Sequence, residues 1–411
     1  MGLPRITPLD LVRNVLLTTP MNRALLPVAL LGLLSTVTLG ACSSPAGVPS
    51  PTAAGNPAGS PNDGNDDAGA TTIGGGTTTP PSGDDAGGVT PAPGDDAGTT
   101  IDDAGHVVKN DGGVTHAAKF DYAPYFPTWI WGGSGYAFTS LADLQKKSGL
   151  NEVTIAFVLS NGGCDTTQDI EQNQSDVKAF IAAGGHVKAS FGGADGNYVE
   201  SKCANAGALA SALEAFVDAT GITDLDFDVE QDPMETDTVN AMRGAALKMA
   251  QDAKGIKVAF TLPANPSPGG GLTSEGKSVV SHAISAGVTI SHVNFMTMDY
   301  GDSFGGSPLA PVVIGSLNDG HAQLMSLVSG ITSEAAWAMV GVIPMLGKND
   351  DSEVFSLADA TTVAQFVTTN HVGLLSFWSI DRDQPGSDYN TASTVESKAF
   401  EFNAIFAAAL E

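Results

Sequence analysis

Residues 118–411 predict an α/β domain of the (β/α)8, or TIM-barrel, class. Eight short β-rich segments occur in this stretch, and helix-like segments separate most of them. Their number and regular alternation match a closed barrel better than an open doubly wound sheet. The stretch holds no Gly-x-Gly-x-x-Gly and no phosphate-binding Walker loop, which removes the usual nucleotide-binding readings of such a sheet.

Two different segments precede that domain. Residues 24–41 form one apolar run behind Arg23, ending in Leu39-Gly40-Ala41-Cys42. A short positive region, an apolar stretch and small residues before a cut site predict a secretory signal. Pro27 and the lone Cys weigh against a membrane-spanning helix, although the run reaches the lower length limit for one. The Leu-Gly-Ala-Cys end resembles the lipobox of bacterial lipoproteins, which implies that Cys42 is lipidated and becomes the mature N-terminus. The expectation is an exported protein on the bacterial membrane or cell surface, bound to membrane only through its lipid; an ordinary cleaved signal, giving a secreted protein, is the alternative. Met21 opens a signal of normal length, so translation is expected to start there rather than at Met1. Residues 43–117 are Gly, Pro, Thr, Ser and Asp, with Asp-Asp-Ala-Gly repeated at 66–69, 84–87, 95–98 and 102–105. The irregular spacing argues against a calcium-binding repeat and for a disordered, self-repelling tether.

Within the domain the strands are expected at 125–131, 152–159, 186–191, 223–230, 256–262, 292–298, 338–344 and 372–379. Leu209, Leu213, Phe216 and Val217 have the spacing of a helix face packed on a core, and Val239, Met242, Ala246 and Met249 repeat it less cleanly. Chemistry in such a barrel sits at the C-terminal ends of the strands.

The fourth strand contradicts ordinary strand composition. Asp224, Asp226, Asp228 and Glu230 alternate with Leu225, Phe227 and Val229. A period of two sends the carboxylates to one face and the apolar set to the other, and in a barrel the apolar set meets the helices. Close carboxylates inside a barrel cannot all ionise at neutral pH, so at least one keeps a proton, as general-acid catalysis requires. Asp224, Asp226, Asp228, Glu230, Asp232 and Glu235 also fall at the ligand positions of a calcium loop. Val229 stands where that loop needs Gly, and Pro233 and the apolar alternation disagree with it. A merely solvated acidic edge strand is the other alternative.

Asp226-x-Asp228-x-Glu230 resembles the Asp-x-x-Asp-x-Asp-x-Glu signature of family 18 glycoside hydrolases, the chitinases and their relatives. Lys188-Ala-Ser190-Phe-Gly192-Gly193 is similar to the third-strand Ser-x-Gly-Gly of that family. Asn294-Phe-Met296-Thr-Met298-Asp299-Tyr300-Gly301 is similar to its sixth-strand Met-x-Tyr-Asp region, and Ser376-Phe-Trp378-Ser379 to its last strand. The resemblance implies a TIM barrel and a chitinase-like hydrolase of O-glycosyl bonds that cuts β-1,4 linkages next to N-acetylglucosamine by a retaining, substrate-assisted reaction. It implies Glu230 as acid, Asp228 as the residue that orients the substrate's acetamido group, and Asp226 as holder of a proton shared with Asp228. Asp299 and Tyr300 would bond the acetamide and Trp378 would floor the sugar, with Ser190, Gly192 and Met298 also at the substrate site. Thr223 replaces the first Asp of the signature and Met298 replaces the family's Tyr, so Tyr300 is expected to substitute for it.

Cys164 and Cys203 remain once Cys42 is lipidated. Both follow strands on the same rim, and an exported protein meets an oxidising compartment, so a disulfide is expected. Trp129 and Trp131 line further sugar subsites or pack the barrel, and Trp337, at the start of the seventh strand, is structural. The seven histidines lack metal-ligand spacing, so no metal and no cofactor are expected. A formal charge of −27 without a basic stripe argues against nucleic acid as a partner. The expected partner is an N-acetylglucosamine-containing polysaccharide or oligosaccharide and the expected state a monomer. Chitin, peptidoglycan and the chitobiose core of N-glycans, the last two for an endo-β-N-acetylglucosaminidase, are not separated, and a non-catalytic sugar-binding barrel is the alternative. The presence of Glu230 favours the enzyme.

Overall fold

The structure is a computed structural model that describes residues 120–132, 138–166, 170 and 173–411, with the backbone of a short antiparallel pair at Thr100–Ile101 and Val107–Val108. The signal, Cys42, the start at Met21 and nearly all of the 43–117 linker lie outside the described residues.

Eight parallel strands close into a cylinder. They are β1 (Asp121–Tyr122 and Tyr125–Pro127), β2 (Glu152–Val158), β3 (His186–Gly192), β4 (Asp224–Asp228), β5 (Lys257–Asn265), β6 (Ile290–Met296), β7 (Val340–Ile343) and β8 (Leu374–Leu375). The two pieces of β1 make the closure. Asp121–Tyr122 pairs with β8 and Tyr125–Pro127 with β2. Across the break the Thr154 N–H donates to the Pro124 carbonyl at 2.9 Å and the Tyr125 N–H to the Phe377 carbonyl at 3.1 Å.

Helices α1 (Leu141–Ser148), α2 (Gln174–Ala182), α3 (Ala206–Thr220), α4 (Asp237–Lys254), α5 (Ser274–Ser285), α6 (Ala310–Leu327), α7 (Ser333–Met339), α8 (Leu357–Asn370) and α9 (Glu401–Ala408) follow the strands. Local chemistry sets their ends: Asn205 and Thr236 cap the free N–H groups of α3 and α4, and Gly221 and Gly255 end them in the left-handed conformation. Leu209, Leu213, Phe216 and Val217 of α3 are all buried. The outward set of β4 meets this layer as its alternation requires: Phe227 stacks on Phe191 at 5.2 Å, and Phe191 meets Phe216 of α3 at 5.2 Å.

Four expectations are corrected. β1 begins at Asp121, four residues early, and Trp129 and Trp131 lie in and just after a 3-10 turn, Thr128–Ile130. Trp337 lies in α7, stacked on His321 at 4.2 Å, rather than at the start of β7. β8 is two residues long, and its extension to Trp378 is a single bridge to Met345. In α4 Ala246 is buried and Val239 and Met242 pack against the core as expected, but Met249 is exposed, and the fully buried positions are Asn240, Arg243, Gly244, Ala246, Leu247 and Ala250. A buried arginine occupies the stripe where an apolar periodicity was sought.

The two ends of the barrel differ in chemistry. At the N-terminal end Lys188 is buried and lies 3.1 Å from each of Asp121, Glu152 and Asp224. Burial alone would raise the carboxyl pKa values of Asp121 and Glu152. The Lys188 charge at Asp121, and the His186 hydrogen bond followed by the Lys188 charge at Glu152, outweigh it and hold both below the usual range. Asp224, the first residue of the acidic row, is therefore part of an ion cluster at the base. The other three carboxylates face the opposite rim.

Candidate active site

β4 delivers Asp226 and Asp228 inward at its C-terminal end, and Glu230 follows two residues later. Asp226 is caged. Tyr125 and Ser190 donate to its Oδ2 at 2.9 and 2.7 Å, Asn294 donates to Oδ1 at 3.2 Å, and Thr261 donates at 2.9 Å. Burial raises its pKa, and the hydrogen bonds from Ser190, Thr261 and Tyr125 pull it back. Asp228 is also buried and is raised well above the carboxylate range by burial and by the charges of Glu230 and Asp226. Glu230 is raised by burial and by Asp299 and Asp195, while a hydrogen bond with Asp228 opposes the rise. All three carboxyls are therefore raised above their ordinary values, Asp228 well above, so close-set acids share this end of the barrel. At Asp226 the surrounding donors oppose the rise without cancelling it. Oδ1 of Asp228 is buried and has no hydrogen-bond partner.

Backbone shape at the end of β3 makes this row possible. Gly192 has φ 113°, and a Cβ there would stand 2.1 Å from the Asp228 carbonyl oxygen. Gly193 donates its N–H to that same carbonyl at 3.0 Å. Only glycine fits so close an approach.

Trp378 forms the floor beside the row. Its ring stacks on Phe157 at 5.6 Å and meets Tyr125 edge-on at 5.7 Å, and Met298 packs into the same small cluster. Trp129 is 59% exposed with its ring 5.9 Å from that of Trp378, whereas Trp131 packs on Phe126 and donates its indole N–H to Asp176 at 2.8 Å. Of the two, Trp129 leaves its ring open to solvent beside Trp378, and Trp131 is packed into the domain.

Asp299 lies on the rim, its Oδ1 accepting the Asp350 N–H at 3.0 Å, and its carboxyl is pushed up to about 6 by burial and by Asp350 and Asp351. Tyr300 does not take the place of the missing Tyr. β6 ends at Met296, and Asp299 has φ 52°, a left-handed turn that breaks the alternation. The Tyr300 ring packs on Phe304 and its hydroxyl lies toward Ser316 and Glu353 instead. Cys164 and Cys203 form a disulfide that joins the loops after β2 and β3, with Cα atoms 4.6 Å apart.

Sequence reasoning assigned no role to Tyr125, Thr261, Asn294 and Tyr198. The first three are polar residues at inward positions of apolar strands, a signal that the fold makes readable. Tyr198 lies in a loop and carries no such signal.

No family model matches the chain. Over 316 residues it is 32% identical to a probable bifunctional chitinase/lysozyme of Escherichia coli K12, a match covering 70% of this chain and 34% of the relative. Over 287 residues it is 33% identical to endochitinase 11 of Metarhizium anisopliae, covering 66% of this chain and 53% of the relative. The chain thus spans about a third to about half the length of these curated relatives. Active domain 2 of a chitinase from Pyrococcus furiosus superposes with a TM-score of 0.63 at 28% identity, covering 71% of this chain and 95% of that one. The same domain in complex with chito-oligosaccharides gives a TM-score of 0.62. The described domain has the (β/α)8 fold of these catalytic domains, and the matches support its kinship with chitinase-like glycoside hydrolases.

Proposed function

We propose that this chain is a chitinase-like glycoside hydrolase that cleaves β-1,4 bonds next to N-acetylglucosamine, with the substrate's acetamido group as nucleophile. The observation that carries the reading is the geometry of the row: Asp226 held by side-chain donors, Asp228 buried beside it with one oxygen left without a partner, and Glu230 following two residues later at the rim. Burial raises Glu230 as a general acid requires, so it holds a proton of its own and passes it to the leaving glycosidic oxygen as the C1–O bond breaks. The acetamide N–H bonds to Asp228 Oδ1, which aims the acetamide oxygen at the anomeric carbon. Attack gives an oxazolinium ion whose positive charge lies beside Asp228. Glu230 then takes a proton from water, and the configuration is retained. Trp378 lies under the sugar ring, and its apolar face suits a pyranose.

The substrate class is a polymer or oligomer of N-acetylglucosamine. Peptidoglycan is the second candidate, because the E. coli relative's name includes lysozyme. The proposed reaction fits an exported protein tethered through Cys42, and the Cys164–Cys203 disulfide supports an oxidising compartment.

The test is Glu230→Gln in the full-length chain, assayed on N-acetylglucosamine oligomers. A loss of at least ~10² in kcat is expected, the low end for a general acid. A near-normal rate refutes the assignment, and an inactive parent chain that still binds the oligomer favours the sugar-binding alternative.

A further inference from the structure

β4 ends at Asp228, so its own ladder does not fix Glu230. The Val229 N–H still donates to the Thr261 carbonyl at 3.0 Å, but the Glu230 N–H has no strand beside it. Its partner is the hydroxyl of Tyr198, at 3.1 Å, from the loop after β3. The same hydroxyl lies 2.8 Å from the Gly193 carbonyl and 2.9 Å from the Asp228 carbonyl. One buried phenol therefore ties together the last residue of β4, the end of β3 and the backbone of Glu230.

The loop that carries Tyr198 is itself anchored. Glu200 and Arg243 are both buried, and Arg243 Nε donates to Glu200 Oε1 at 2.8 Å. The same guanidinium donates through Nη2 to the Met234 carbonyl at 2.9 Å, in the turn that follows Glu230. Gln231 adds a bond from its amide to the Ala194 carbonyl at 3.1 Å. Arg243 thus grips the β3 and β4 loops at once, one on either side of the Tyr198–Glu230 contact.

We propose that Tyr198 is a positioning residue for the reaction: its hydroxyl, braced by the Glu200–Arg243 pair, sets the place of the Glu230 carboxyl beside Asp228. This rests on the reading of Glu230 as the acid. The hydroxyl touches no reacting atom. Its effect runs through the Glu230 backbone, and misplacement of an acid by about 1 Å is enough to cost up to ~10² in rate. Asp228 opposes the upward shift of Glu230 by a hydrogen bond, so an acid that drifts from Asp228 loses its proton at higher pH. The titratable groups facing Glu230 are Asp228, Asp299, Asp195 and Glu235.

The experiment compares the full-length chain with its Tyr198→Phe variant on an N-acetylglucosamine oligomer, across pH. The expected result is a kcat about 10-fold or more lower, a KM within about 2-fold of the parent, and an alkaline limb displaced to higher pH. An unchanged kcat, or a lower kcat with the limb unmoved, overturns the proposal; the second outcome is what a purely structural tyrosine gives. If Tyr198→Phe does not fold, Glu200→Gln is read the same way, with the same split and the same limb shift expected and their absence decisive. Failure of the underlying reading is recognised separately, because the parent chain is then inactive or Glu230→Gln retains its rate.

Discussion

Asp226 shows how a residue's neighbours decide its charge. Burial raises its carboxyl, while Tyr125, Ser190, Thr261 and Asn294 each offer it a hydrogen, and the bonds from Ser190, Thr261 and Tyr125 oppose the rise. Its charge in turn adds to burial and Glu230 in raising Asp228. Asp226→Asn places an amide N–H against donors and removes that charge. The expected outcome is a stability loss of about 1–3 kcal/mol, seen in urea unfolding, together with reduced kcat. Full stability and full rate in that variant contradict the cage. The row itself was legible from alternation and from the resemblance to family 18 enzymes, because side-chain direction in a strand has period two. The placement of Tyr300 was not legible, because one left-handed residue, Asp299, redirects the chain and no composition signal marks it.

At the scale of elements, strands and loops divide the labour. The strand ends carry Ser190, Asp226 and Asp228, and the loops after β3 and β4 set the surroundings of Glu230. The helix that braces those loops, α4, was legible only in part, its apolar Val239, Met242 and Ala246 but not the Arg243 in its buried stripe. A periodicity search counts apolar residues and cannot see a buried ion pair that bridges two loops. Tyr125 escaped notice because β1 is split, which left its inward position unassigned. At the other end of the barrel, Lys188 holds three carboxylates from β1, β2 and β4 together. Lys188→Met leaves these charges uncompensated at a largely buried site, and a loss of about 3 kcal/mol or more is expected by denaturant unfolding. A change below about 0.5 kcal/mol would show that the cluster does not lock the base.

Over the whole molecule the two ends have opposite pH responses. Asp228 is raised well above its ordinary value, Asp299 is pushed up to about 6, and the enclosed Glu353 is pushed up to about 7 by burial and by Asp351 and Asp299. A carboxyl with a raised folded pKa contributes stability that is present below its unfolded value near about 4, and that is lost as pH rises through the folded value. Asp121 is lowered by Lys188, and Glu152 by the His186 hydrogen bond and then Lys188, so their contribution is present above about 4 and is lost as pH falls below it. The thermal midpoint is therefore expected to be highest near about pH 5 and lower at both pH 3 and pH 8, measured by scanning calorimetry. A midpoint that rises steadily from pH 5 to pH 8 contradicts the assignment of protons to the site. The formal charge of −27 hides this division, since close-set carboxylates at two ends of one cylinder respond in opposite senses.

The central claim is that the substrate's own acetamido group does the work of a nucleophile between Asp228 and Glu230. The direct measurement compares cleavage by the full-length chain of an N-acetylglucosamine oligomer and of its de-acetylated counterpart, with the product anomer followed by NMR. The account predicts rapid cleavage of the first with the β-configuration retained, and loss of cleavage for the second. Equal rates on both oligomers, or an inverted product, would contradict it.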